Sequence, residues 1–281
     1  MAKHLAKDAG KAAIQNLGWW KAHRFLILRR LSQLTIIALF MAGPTWGVFK
    51  GNLSSSTLFD VIPFTDPLLL LQTIAAGHLP EFTAILGALI VVGLYAIIAP
   101  RAFCAWVCPL NIVTDLAAWL RRKLNVKASY SWPKSLRYWL IPVLLIGSAL
   151  SGSALWVWID PVSALHRGLI FGIGAGWMLI VLVFLLDLLL VEHGWCGHLC
   201  PLGATYGIIG KQSIIRVTAT NRDACTKCMD CFNVCPEPQV LREPLKDGDI
   251  RVMAKDCISC GRCIDVCSEK VFEFKTRYSK Q

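Results

Sequence analysis

The chain has 281 residues, 55% of them hydrophobic, with a mean hydropathy of +0.53 and a formal net charge of +11. It is too apolar for a small soluble electron carrier, which would need only about the last 70 residues as a metal-stapled domain. The charge raises the question of nucleic acid, and the distribution of basic residues along the chain answers it.

Residues 1–30 hold seven Lys/Arg and form a basic N-terminal segment. Uncharged apolar runs follow at 31–49, 82–99 and 138–159, and a fourth at 169–191 contains a single charge, Asp187. Crossing a bilayer core as helix takes roughly 20 apolar residues. The runs therefore predict four spans within a membrane domain over 31–211. The connection 100–137 holds seven Lys/Arg and the residues from 192 onward thirteen, whereas the other two connections hold only Lys50 and Arg167. This positive-inside pattern predicts that both termini face the cytoplasm, and it removes any need for a nucleic-acid partner. All twelve cysteines lie in or beside the inner segments, so disulfides are not expected. Arg29-Arg30 reads as a charge anchor beside the first span rather than an export signal.

The membrane part contains a repeat. Phe103-Cys104-Ala105-Trp106-Val107-Cys108-Pro109-Leu110 matches Trp195-Cys196-Gly197-His198-Leu199-Cys200-Pro201-Leu202, and upstream Asp66-Pro67 matches Asp160-Pro161. Each half reads as span, outer Asp-Pro turn, span, then Cys-x-x-x-Cys-Pro at the inner face. Proline at the first helical position makes Cys108 and Cys200 helix N-caps, where a thiolate is favoured. Asp66 and Asp160 read as N-caps of short helices, the first being 67–76, stopped by Gly77. After Pro109, the residues Ile112, Val113, Leu116 and Leu120 share one face before Arg121-Arg122-Lys123, an amphipathic helix at the membrane surface. Cys104, Cys108, Cys196 and Cys200 together offer four thiolates. Three readings stand side by side: a third cluster or soft-metal site, a redox thiol pair, or packing.

Gln72 and His166 occupy matching places in the two halves and are candidates for contact with quinol oxygens. Asp187, followed by Glu192 and His193, is a candidate for proton handling, because ionisable groups within spans are costly. No Cys-x-x-Cys-His attaches a haem, and Gly172-x-Gly174-x-Gly176 reads as helix packing rather than nucleotide binding.

The tail, 212–281, carries Cys225-x-x-Cys228-x-x-Cys231-x-x-x-Cys235-Pro236 and Cys257-x-x-Cys260-x-x-Cys263-x-x-x-Cys267. This is the spacing of a pair of [4Fe–4S] clusters, in which the fourth cysteine of each run ligates the other run's cluster. One cluster falls to Cys225, Cys228, Cys231 and Cys267, the other to Cys235, Cys257, Cys260 and Cys263. Structural zinc sites use cysteine pairs parted by a spacer, which neither run shows. Ser268 stands where the pattern has proline. The expected fold is an all-α four-helix transmembrane domain of two repeated hairpins, followed by a small α+β two-cluster ferredoxin-like domain.

With the four spans, the doubled Cys-x-x-x-Cys-Pro motif, the segment Val191-Glu192-His193-Gly194-Trp195-Cys196-Gly197-His198 and Cys228-Met229-Asp230-Cys231, the chain resembles the NapH family over nearly its whole length. That superfamily also includes NosR-type proteins, whose flavin-bearing outer domain is missing here, and CcoG-type proteins. The resemblance implies a quinol-oxidising module of the bacterial inner membrane. It would work with a NapG-type periplasmic ferredoxin and a membrane-anchored cytochrome toward periplasmic nitrate reductase. Two alternatives are a membrane copper reductase resembling the CcoG type and an assembly or docking subunit of a redox complex.

Overall fold

The computed structural model describes residues 8–43, 48–126, 130, 132–172, 174, 176–246 and 248–278. The first seven residues of the basic segment and the last three of the tail, both expected inside, lie outside the described residues, as do positions 173 and 175 of the glycine stretch.

Two short helices, α1 (Lys11–Leu17) and α2 (Trp19–Ala22), lead into α3 (Arg24–Met41). The chain then forms an antiparallel meander of β1 (Phe49–Gly51), β2 (Ser55–Leu58) and β3 (Ile62–Thr65), with Lys50 opposite Thr57 and Thr57 opposite Pro63. Asn52 closes the first turn, its side-chain oxygen accepting from the N–H groups of Ser54 and Ser55 at 2.9 Å each. Next come α4 (Pro67–Ala75), α5 (Phe82–Ile97), α6 (Ala102–Trp106), α7 (Leu110–Lys123), α8 (Leu136–Ser151), α9 (Trp156–Ile159), α10 (Pro161–Phe171), α11 (Gly176–Leu185) and α12 (Pro201–Ile209). Strand β3 lies directly on α5 because residue 87 is glycine: a Cβ there would stand 2.8 Å from Thr65 Oγ1.

The expected four-helix transmembrane domain is not what forms. Among the described residues no helix is long and apolar enough to cross a membrane. The causes are local. Helix α3 spends its first turns on Arg24, Arg29 and Arg30 and stops at Met41, and Phe49, the last residue of that run, already lies in β1. The third run breaks at Gly152, whose φ of 66° ends α8, and resumes only as the four-residue α9. The fourth breaks at Gly172, φ 87°, and α11 keeps ten residues before a π-helical turn over Leu186–Leu190. Glycine takes such angles freely, and an apolar run does not announce them.

The Asp-Pro turns are not held at the far side from the cysteines either. Asp66 and Asp160 lie within electrostatic reach of each other, and Asp160 within reach of Cys108 and Cys200. Leu68, Cys108, Leu110, Val162, Leu165, Cys200, Leu202 and Tyr206 belong to one buried core.

The tail is the supported ferredoxin-like part. Strands β4 (Ile215–Ala219) and β5 (Phe272–Thr276) pair antiparallel, with Val217 opposite Phe274, and flank short helices α13 (Asp230–Val234) and α14 (Arg262–Asp265). Val217, Val240, Leu241, Val252, Val271 and Phe272 form its own core. Two main-chain bonds join it to the end of α5: Ile214 N–H donates to the Ile97 carbonyl at 2.8 Å, and Ile215 N–H to the Ile98 carbonyl at 2.9 Å.

Candidate functional site

The residues on either side of each run's middle cysteine, Lys227 and Met229, then Ser259 and Gly261, all have left-handed φ angles of 50–74°. Alternating hands curl the chain so that successive sulfurs and N–H groups face one centre. Helices α13 and α14 then return the chain, and the fourth cysteine crosses over. Cys225, Cys228, Cys231 and Cys267 line one cavity of about 480 Å³. Cys235, Cys257, Cys260 and Cys263 line a second, far tighter one of about 20 Å³. Cys267 keeps its place despite Ser268, its sulfur accepting from the Val271 N–H at 3.4 Å.

Burial, and then the neighbouring sulfurs of its own set, push the Cys231 thiol up to about 12. Burial likewise raises Cys257 to about 11, and Cys235 and Cys263 well above the ordinary thiol value. Sulfurs that are raised by burial and disfavour one another's ionisation fit a group that supplies positive charge, since a coordinated thiol is deprotonated outright. Among the described residues no group of three or more His, Cys, Asp or Glu is set to hold a single metal ion. A four-iron cage makes a different demand, one thiolate on each iron, and the donor sets suit it.

Cys104, Cys108, Cys196 and Cys200 also converge: Cys104 raises the proton affinity of Cys200, Cys104 and Cys200 raise that of Cys108, and all three raise that of Cys196. Cys200 is the N-cap of α12, its sulfur accepting from the Gly203 N–H at 3.4 Å, whereas Cys108 stands one residue before the cap of α7. The N-cap effect alone predicts thiolate, but burial outweighs it and Cys200 is pushed up to about 12. Asp66 caps α4 through the Leu68 N–H at 2.8 Å, and Asp160 caps α10 through the N–H groups of Val162 and Ser163 at 3.0 and 2.9 Å. Helices α7 and α12 thus begin at Cys108 and Cys200, with the cap of α10 within electrostatic reach of both, and N-terminal dipoles there favour negative charge.

Arg101 connects this set to the tail. It is buried, has a left-handed φ of 47°, and lies against Gly203, where a Cβ would come within 2.9 Å of its Nη2. Nη2 donates to the Cys196 carbonyl at 2.9 Å, while Nη1 donates to Glu237 Oε1 and the Asp256 carbonyl at 3.0 Å each. Glu237 follows Cys235-Pro236, and Asp256 precedes Cys257. Arg137 donates to the same Glu237 oxygen and to the Gly197 carbonyl, and Lys134 pairs with Glu237 Oε2 at 3.1 Å. Burial alone would raise the Glu237 carboxyl, but Arg101, Arg137 and Lys134 prevail and hold it at about 2. Nearby, Ala105, Ile258 and Cys260 pack together, and Trp106 Nε1 donates to the Ser259 carbonyl at 3.0 Å.

The other candidates are placed differently. Gln72 is fully buried, its side-chain oxygen accepting from Ser148 Oγ at 3.2 Å and the Trp156 N–H at 3.0 Å. His166 is buried edge-on to the Phe40 ring, 5.4 Å between centroids. Asp187 accepts from the Trp195 N–H at 2.9 Å, which braces the π-helical turn Trp195–Leu199 that carries Cys196. An apolar cavity of about 430 Å³, lined by Leu94, Tyr95, Ile98, Trp106, Val107 and Ser259 among others, lies beside both the Cys104 motif and Cys260. Arg101, Glu237 and this cavity were missed from sequence. The only signal for the first two was a charge next to a proline in each cysteine segment.

Residues 81–127 and 173–218 each match the family model of a 4Fe-4S binding domain, so each match contains one Cys-x-x-x-Cys-Pro motif, and residues 217–268 match a 4Fe-4S dicluster domain. The chain is 53% identical to the ferredoxin-type protein NapH of Escherichia coli K12 and 55% identical to that of Haemophilus influenzae, with 97% of this chain and 96% of the relative covered in each case. It is 47% identical to the methylamine utilization ferredoxin-type protein MauN of Methylorubrum extorquens, over 92% of both chains. No solved structure matches.

Proposed function

The chain belongs to the family of NapH ferredoxin-type proteins, and on that premise we propose that it is a membrane-associated electron-transfer protein that takes electrons from quinol. It passes them, with a NapG-type ferredoxin and a membrane-anchored cytochrome, toward periplasmic nitrate reductase. The observation that carries this reading is the junction at Arg101, which ties the segment of Cys196 to the segments of Cys235 and Cys257. Iron–sulfur clusters bound by these sets supply one-electron chemistry.

The chain's own residues do the rest. Cys225, Cys228, Cys231 and Cys267 hold the outer tail cluster, and Cys235, Cys257, Cys260 and Cys263 the inner one. Cys104, Cys108, Cys196 and Cys200 hold a third centre, and the matches of both motifs to a 4Fe-4S binding domain support a cluster there. Arg101 and Arg137 fix the backbone of Cys196 and Gly197 against the segments that carry Cys235 and Cys257. Leu94, Ile98 and Val107 give the cavity beside Tyr95 apolar walls, and its size and lining suit a quinol ring. Outward-facing Leu86 and Leu89 on α5, Val143, Ile146 and Leu150 on α8, and Met178, Val181 and Leu182 on α11 support contact with lipid.

Anaerobic addition of a short-chain quinol to the purified, iron-loaded chain should reduce its clusters, followed by electron paramagnetic resonance. Clusters that respond to dithionite but stay oxidised with quinol would sink the reading.

A further inference from the structure

A cavity of about 420 Å³ lies between the N-terminal helices, α7 and α14, apart from the cysteine sets' own cavities. Four guanidiniums line it, Arg29, Arg30, Arg122 and Arg262, against two carboxylates, Asp115 and Asp265. Both carboxylates are already engaged. Asp115 pairs with Arg29 at 3.4 Å and also with Arg30 and Arg262, while Asp265 accepts from the N–H groups of Phe25 and Leu26 at 3.1 and 3.0 Å. The Arg122 guanidinium makes no hydrogen bond or ion pair with a described residue; the carboxylates of Glu192 and Asp115 act on it only from farther off. Arg29 is buried, and its Nε has no hydrogen-bond partner among the described residues. The cavity therefore carries an excess of positive charge and a buried donor with nothing to donate to.

Apart from His23, its remaining wall is apolar. Leu26, Ile112, Leu116 and Trp119 line it, and Leu116 and Trp119 lie half-exposed on the amphipathic α7. Cationic forks set beside an apolar lip complement a molecule that is anionic at one end and hydrocarbon at the other. A free phosphate would leave the lip in water, and a neutral lipid would leave the excess positive charge unmatched.

We propose that this cavity binds the phosphate headgroup of one anionic phospholipid, with its acyl chains lying along α7. The lipid would brace α3 and α7 against α14, the helix between Cys260 and Cys267. The inference rests on the membrane-association reading, and flotation separates the two. Binding of the full iron-loaded chain to phosphatidylcholine vesicles tests that reading, whereas stronger binding once phosphatidylglycerol is included tests the site.

In native mass spectrometry from a neutral detergent, the wild-type chain should retain one phosphatidylglycerol in preference to phosphatidylcholine. Arg122→Gln should weaken retention about fivefold, the worth of one basic residue near an anionic surface, and adding Arg30→Gln should weaken it further. Arg251→Gln, which removes a tail charge outside the cavity, should change nothing, and iron per chain should stay at the wild-type value in all variants. Equal retention of the two lipids, or retention that ignores Arg122→Gln and the double variant, overturns the site. Displacement of the lipid by inorganic phosphate overturns the assignment to a lipid.

Discussion

The two cysteine runs of the tail share spacing, left-handed turns and a short helix, yet their surroundings differ. Around the Cys225 run, Met229 is half-exposed and all four ligand sulfurs are only partly covered, beside an open cavity. Around the Cys257 run, Cys260 and Cys263 are buried. Phe25 of α3 packs so close to Gly261 that a Cβ there would lie 2.5 Å from its ring, and Ser259 donates to the Pro100 carbonyl at 3.2 Å. One ligand pattern thus has two settings, an inner one packed against the rest of the chain and an outer one beside an open cavity. Ligand spacing decides what can bind; the packing around it decides where that group communicates.

The sharpest break of this comparison is at the crossed ligands. Cys267→Ser should remove the outer cluster, about half of the tail's iron, and leave the inner signal intact, while Cys235→Ser should do the reverse. Iron analysis with electron paramagnetic resonance reads both, and damage confined to each residue's own run would refute the crossing.

Glu237→Gln comes next. It leaves Arg101, Arg137 and Lys134 around a neutral amide, and one-sided removal of a buried partner costs about 3–5 kcal/mol, seen as a lower midpoint in denaturant unfolding. The wild type should also show this interaction in its pH dependence. Because the folded carboxyl is held at about 2, below its ordinary 4.5, its contribution is complete above pH 4.5 and is lost as the pH falls toward 2. The variant should lack that acid-side loss.

Gly261→Ala should destabilise by about 1–3 kcal/mol through the clash with Phe25 and the strained φ of 74°. The equivalent outer change, Met229→Gly, relieves a left-handed residue in the open and should alter stability by less than about 1 kcal/mol. Equal effects at the two positions would erase the distinction between inner and outer sites.

How much of this was legible in the sequence depended on what kind of signal each feature leaves. The tail could be recognised as a 4Fe-4S dicluster segment because ligand spacing is a local constraint, and Asp66 and Asp160 as caps because a cap needs only its own turn. Apolar length could not report the breaks at Gly152 and Gly172, nor that residues 49–65 would pair as strands, with Phe59 and Asp60 in left-handed turn positions. Arg101 and Arg137 read as two more basic residues in an inner loop. Their role depends on Glu237, at least 100 residues away along the chain, and no local pattern carries that information.

The paired main-chain bonds from Ile214 and Ile215 to the end of α5 have a consequence for kinetics. A ferredoxin on a flexible tether would collect an electron at one station and deliver it at another, with a rate set by diffusion and linker length. Here the strand that frames the tail is hydrogen-bonded to the helix behind Arg101, so the tail cannot swing between stations. Transfer through it happens at one fixed separation, and its rate should be insensitive to solvent viscosity.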